Sequence, residues 1–103
     1  MSINDNGIME ALKENPQNGF RMLMAKYQEN VYWHIRRLVV SHDDAQDASQ
    51  ETFVRIYRSF GNYRGDCSLR SWIYRIATNE ALRLISKRKQ EEVSLDSMST
   101  GVG

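Results

Sequence analysis

Proline occurs once, cysteine once and glycine six times in 103 residues. With one proline, few glycines ahead of the C-terminal tail and abundant Ala, Leu, Glu, Lys, Arg and Met, little interrupts helix, which is expected nearly throughout. The lone cysteine, Cys67, lies far in sequence from His34 and His42, so there is no disulfide framework and no common zinc spacing, and neither a metal nor another cofactor is implied. No apolar run approaches the roughly 20 residues that span a bilayer, and the N-terminus lacks a basic segment followed by an apolar one. A soluble, cytoplasmic protein without a membrane partner is expected. There is also no Ser-His-Asp set in a recognisable context and no phosphate-cradling glycine loop, which points to a binding protein and not an enzyme. A chain this short holds one modest core, and a helical bundle is the simplest way to build it.

The formal net charge is only +1, but the charge is unevenly spread. From Arg55 to Lys89 the basic residues are Arg55, Arg58, Arg64, Arg70, Arg75, Arg83, Lys87, Arg88 and Lys89, against Asp66 and Glu80. Asp43, Asp44, Asp47 and Glu51 cluster just before this stretch. A basic end beside an acidic face suggests two partners of opposite charge.

Apolar spacing at three and four places a short helix around Ile8, Met9 and Leu12, ended by Asn15-Pro16, and a second helix from about Gln17 to Val40. The second helix offers Phe20, Leu23, Met24, Tyr27, Val31, His34, Ile35 and Leu38 to the core. His34 reads as a hydrogen-bonded packing histidine. Met22, Trp33 and Val40 fall on the opposite side, where the first helix can cover part of them and an uncovered Trp33 would be a partner contact. Ser41 then caps a third helix, with Asp43 and Asp44 at its positive end. Its inward set is Ala45, Ser49, Thr52, Phe53, Ile56 and Phe60, while Asp47, Gln50, Glu51, Val54 and Arg58 share the other side. Val54 among polar residues has two readings: a stray surface valine, or the centre of a contact patch with a polar rim.

A polar loop from Gly61 to Cys67 leads to a helix from Ser68, its N-cap, to about Arg88. Leu69, Trp72, Ile73, Ile76, Ala77 and Leu84 face inward; Ser71, Arg75, Thr78, Asn79, Leu82 and Ser86 face outward, with Trp72 and Arg83 at the margin. A capped loop carrying Tyr63 and Arg64, followed by outward Arg75 and Asn79, is one way to build a pocket for an extruded base. Arg75, Arg83, Lys87 and Arg88 suit phosphates, the Asn79 amide suits a base edge, and Tyr63 and Trp72 offer stacking rings. The alternative is a core Trp72 beside solvated arginines. Glu80 falls in the apolar arc and needs a partner, such as Arg36 or Arg37.

The string YRGDCSLRSWIYRIATNEA, preceded by DDAQDASQETFVRIYRSF, closely resembles the second conserved region of the sigma factors of bacterial RNA polymerase, nearest the extracytoplasmic-function class. The similarity runs from about Phe20 to Lys89. It implies an all-α fold, a three-helix core bundle plus a short N-terminal helix, over residues 1–89. It also implies docking on the clamp helices of the largest subunit of core RNA polymerase, through a helix whose acidic and Gln positions are matched by Asp44, Asp47, Gln50 and Glu51, with Val54 in the desolvated centre and Arg58 on the same face. The loop and last helix would bind the single-stranded non-template strand of the promoter minus-ten element, through Tyr63, Arg64, Asp66, Cys67, Ser68, Ser71, Trp72, Arg75 and Asn79. Residues 90–103 read as a flexible linker or tail; in the family such a linker leads to a second, helix-turn-helix domain that no part of this sequence matches, so the chain is expected to be either a fragment or an isolated promoter-melting module. An anti-sigma factor is a further partner that the sequence does not identify. Two other readings remain: a helix-turn-helix reader of intact duplex, and a helical protein-protein adaptor whose basic helix is only solvated.

Overall fold

A computed structural model describes residues 4–63 and 65–102, with side chains as far as residue 92. The expected bundle of three main helices and a short N-terminal one is borne out: α1 (Asp5–Glu14), α2 (Pro16–Arg36), α3 (His42–Ser59) and α4 (Leu69–Val102), with a 3-10 turn at Phe60–Asn62. The caps follow from local chemistry. The Asn4 side chain accepts from the Gly7 N–H at 2.7 Å, and that of Asn15 accepts from the Asn18 N–H at 3.4 Å with Pro16 at the first turn of α2. Ser41 Oγ accepts from Asp44 N–H and Ser68 Oγ from Ser71 N–H, each at 3.1 Å, as expected of short polar side chains at helix starts.

The core is the seam where these helices meet. Ile8 and Leu12 of α1, Leu23, Tyr27, Val31 and Ile35 of α2, Phe53 and Ile56 of α3, and Leu69, Ile73, Ala77 and Ala81 of α4 are all buried. α1 is held to α2 in two ways. Gly19 lets the helices touch backbone to backbone, since a Cβ there would lie 2.4 Å from Leu12 N. The Asp5 carboxylate accepts from Lys26 Nζ at 2.8 Å and from the buried Tyr27 hydroxyl at 2.7 Å. Burial raises the Asp5 pKa, but the bonds from Lys26 and Tyr27 outweigh it and hold the carboxyl below its usual range.

Three expectations are corrected. α2 does not reach Val40. It ends at Arg36, whose guanidinium donates to Val39 O at 3.1 Å. The chain then turns so that Val39 enters the core in the place expected for Leu38, which is 40% exposed, while Val40 is left 91% exposed. At the other end, the expected stop near Arg88 and the irregular linker from residue 90 give way to helix as far as Val102. Helical hydrogen bonds are local, so Gln90, Glu91 and Glu92 continue the helix without a surface to pack on. Every residue from Ile85 to Glu92 is exposed, so α4, about 51 Å long at 1.5 Å per residue, runs out of the bundle.

The third correction concerns Glu80, which is buried at 6% exposure but pairs with Arg55 of α3, not with Arg36 or Arg37. Arg55 Nε and Glu80 Oε1 are both shut off from water and, among the described residues, face only each other. The rest of the Arg55 side chain is half-exposed, so the two partners are not equivalent. An arginine without its glutamate can reach solvent; a glutamate without its arginine stays in the seam. Arg55→Ala is therefore expected to destabilise the chain by about 3 kcal/mol, and Glu80→Gln by clearly less, as measured by urea unfolding followed by circular dichroism. The reverse order would show that the pair is not what keeps this charge in place.

Candidate nucleic-acid interface

The loop and the start of α4 form one surface. Gly65 sits at φ +81°, a left-handed conformation suited to glycine, and lets the chain double back before Ser68. The Tyr63 ring lies on Trp72, with centroids 5.0 Å apart and planes tilted by 35°, and its hydroxyl donates to the Cys67 carbonyl. Burial, with the Cys67 and Asp66 side chains nearby, pushes the phenol pKa up, which keeps it a donor. Tyr63 and Trp72 are thus half-buried and stacked on each other; they brace the loop on the helix and are not two isolated stacking faces. Ser68 is committed as the cap and also donates to Ser71 Oγ at 2.9 Å. Asp66 is exposed and Cys67 half-buried. Arg64 lies outside the described residues.

Ser71, Arg75 and Asn79 form an exposed row, one turn apart, that continues from the loop, with Arg83 and Lys87 exposed farther along. Thr78, expected among them, turns inward instead: its hydroxyl meets His34 Nε2 at 2.7 Å, so His34 is the hydrogen-bonded packing residue its position suggested. Arg88 is also diverted. Its guanidinium binds Asp44 Oδ1 at 2.8 Å and reaches Glu91 at 3.5 Å. One residue expected on each functional face, Arg88 and Asp44, therefore neutralise one another.

On α3, Asp47, Gln50, Glu51 and Arg58 are exposed around Val54, itself 39% exposed. Val54 is not a stray. It lines a groove of about 620 Å³ between α2 and α3 with Phe20, Met24, Phe53 and Tyr57, and with Gln50 and Arg58 at its margin. Phe20 meets Tyr57 edge-on at 5.1 Å. The sequence pattern gives no signal for Tyr57, three residues after Val54, and places Phe20 and Met24 in the core; partial burial at a seam is invisible to a periodicity that only separates in from out.

Residues 23–91 match the family described as Sigma-70 region 2. The chain is 39% identical over 77 residues to the RNA polymerase sigma-H factor of Pseudomonas aeruginosa, a match covering 75% of this chain and 40% of that protein. It is 32% identical over 94 residues to the ECF RNA polymerase sigma-E factor of Escherichia coli K12, covering 91% and 49%. It thus spans less than half the length of either relative. Among solved structures it resembles an engineered region 2 of sigmaE, determined by NMR in complex with GTAAAA, with a TM-score of 0.77 and 29% identity over 88% of this chain and 97% of that one.

The His34–Thr78 contact ties α2 to α4 behind the exposed row. Burial first, then the neighbouring Arg37 charge, hold the imidazole below the usual histidine range, so the folded chain favours it neutral. The unfolded chain, with a histidine pKa of about 6.5, takes up the proton at higher pH. Stability present above that value is therefore lost as pH falls through the lower folded value. The urea midpoint should drop between pH 7 and pH 5, and drop less in His34→Gln; identical pH profiles for the two proteins would remove His34 from the account.

Proposed function

Because the chain belongs to the Sigma-70 region 2 family, we propose that it is the part of an extracytoplasmic-function sigma factor that joins core RNA polymerase and captures the melted minus-ten strand during transcription initiation. The observation that carries this is the continuous surface from the Tyr63–Cys67 loop along Ser71, Arg75 and Asn79, in a fold shared with a domain solved on the strand GTAAAA. Arg75 would hold a phosphate while the Asn79 amide, one turn on, meets a base edge. The braced loop would receive a base turned out of the stack; its sides would come from Asp66, Cys67, Ser68 and, by the family resemblance, Arg64. Arg83 and Lys87 extend the positive track.

The acidic face of α3 would take the basic clamp helices of the largest polymerase subunit. Among the described residues no ion pair occupies Asp47 or Glu51, so both can receive guanidinium groups, and the Val54 groove supplies an apolar centre with a polar rim, the usual anatomy of an interface. Arg58 is among the residues that line that groove. Asp44 would join only by giving up Arg88, whose guanidinium is half-exposed and easily exchanged. Residues 1–89 would act as the domain, the helical extension of α4 would lead onward to a further domain as in longer family members, an anti-sigma factor would compete for these same faces, and the site of action would be the cytoplasm. The role is binding and not catalysis.

The test is a competition titration with a labelled single strand carrying the preferred minus-ten sequence, the same strand mutated, and the matching duplex. Tighter binding of duplex than of strand would favour a helix-turn-helix reader instead. Asn79→Ala should lower discrimination between the two strands by roughly 1 to 3 kcal/mol with little change in salt dependence. Arg75→Ala should weaken both strands alike and reduce the slope of log affinity against log salt by about 0.7. Unaltered preference in Asn79→Ala would make its role structural.

For the second face, Asp47→Arg and Val54→Glu should each weaken binding to an isolated clamp-helix fragment at least about tenfold, or about 1.4 kcal/mol, without moving the thermal midpoint by more than a few degrees. Unchanged calorimetric affinity in both variants would take α3 out of the interface.

A further inference from the structure

A second concavity, of about 300 Å³, opens between α2 and α4 and is lined by Asn30, Trp33, His34, Arg37, Arg70 and Tyr74. Among the described residues no carboxylate lines it. Two guanidinium groups, an amide and two aromatic side chains do, and its size is at the lower end of the roughly 300 to 1,000 Å³ typical of small-ligand sites. Its floor is held in place: His34 is pinned to Thr78 at 2.7 Å, the His34 and Tyr74 rings are 4.9 Å apart, and Arg70 Cζ sits 5.3 Å above the Tyr74 ring. Trp33 is 53% exposed at the rim, with Tyr32 edge-on behind it at 5.1 Å. A half-exposed indole braced from behind, next to two arginines of which only Arg70 also acts on a carboxylate, that of Asp5, fits a ligand with a flat apolar part and a negative charge. A nucleotide has both.

The position of the pocket selects which nucleotide. Arg70, Tyr74 and Thr78 are spaced by four, as are Ser71, Arg75 and Asn79, and the two rows are neighbours about 100° apart on α4. A strand held along the second row runs beside the first. We propose that the α2–α4 pocket binds one further nucleotide of the same single strand, with its phosphate between Arg37 and Arg70 and its base against Trp33, so that the strand track crosses from α4 onto α2. This rests on the reading of α4 as a strand-binding helix. A backbone phosphate gains from paired guanidinium groups and a base from an open indole face, whatever its sequence.

The test uses the whole chain and a fluorescein-labelled single strand containing GTAAAA, followed by anisotropy over a range of salt. The double variant Arg37→Ala/Arg70→Ala should lose about 0.7 from the salt slope, one phosphate's worth on a single strand, and bind several-fold more weakly at low salt; Arg37→Lys/Arg70→Lys should restore most of the slope. Both arginines are exposed, so neither change threatens the fold. In the wild-type chain the Trp33 indole N–H resonance should shift on adding the strand, and poly-glutamate at equal charge should compete poorly. If the wild-type chain does not hold the strand, this proposal and the strand-binding reading fall together. If it does, and Arg75→Ala lowers the slope while the double alanine variant keeps it whole, only the pocket is overturned. A stationary Trp33 resonance, or equal competition by poly-glutamate, would also overturn it, the latter in favour of an acidic peptide.

Discussion

The relation between the two proposed binding faces depends on one ion pair. Glu80 of α4 is buried among Ile73, Ala77 and Ala81 and is matched by Arg55 of α3. Apolar contacts are non-directional and tolerate small slides and rotations. A carboxylate shut from water does not, because any displacement that separates it from its partner leaves a charge unsolvated. The pair therefore sets how α3 and α4 are turned relative to each other, and with that the angle between the acidic face around Val54 and the exposed row Ser71, Arg75 and Asn79. A leucine in place of Glu80 would pack in this seam, but it would not specify that angle.

Asp44 and Arg88 repeat the arrangement at the surface. The two helices run antiparallel, so the early Asp44 meets the late Arg88 while the later Arg55 meets the earlier Glu80. The outer pair contributes little to stability because the Arg88 guanidinium remains hydrated. What it does is cancel charge where the acidic and basic surfaces adjoin. The negative side of the molecule is then centred on Asp47 and Glu51, beside the apolar groove, and the positive side on Arg75, Arg83 and the two arginines of the α2–α4 pocket. A chain with a formal charge of only +1 thus carries opposite signs on two different faces.

The N-terminal helix supports this arrangement from behind. Asp5 takes up the Tyr27 hydroxyl inside the bundle and Gly19 allows α1 to lie directly on α2. α2 is then held from one side by α1 and from the other by the His34–Thr78 contact with α4. The rim residue Trp33 projects from a helix fixed on both sides and Arg37 caps its end, which is what a recognition surface requires if its side chains are not to lose affinity through reordering on binding.

The sequence by itself determined that four helices form and roughly where they begin. Spacing at three and four identified the inward rows of α2, α3 and α4, and Ser41 and Ser68 marked two starts, because periodicity and capping are properties of a few consecutive residues. The row Ser71, Arg75 and Asn79 was legible for the same reason, and the resemblance to sigma region 2 gave it an expected partner. Only the tertiary structure decided where α2 ends, since Val39 turns into the core only because neighbouring helices make that core. It alone showed that Glu80 takes Arg55, that Arg88 and Asp44 are occupied with each other, that Tyr63 and Trp72 stack together, and that Val54 opens onto a groove with Phe20, Met24 and Tyr57. Apart from Tyr63 and Trp72, which meet across a single loop, and Tyr57, which shares α3 with Val54, these contacts join residues on different helices. Which side chains meet across such a seam depends on the distance and rotation between helices, and the period of any one helix carries no record of either.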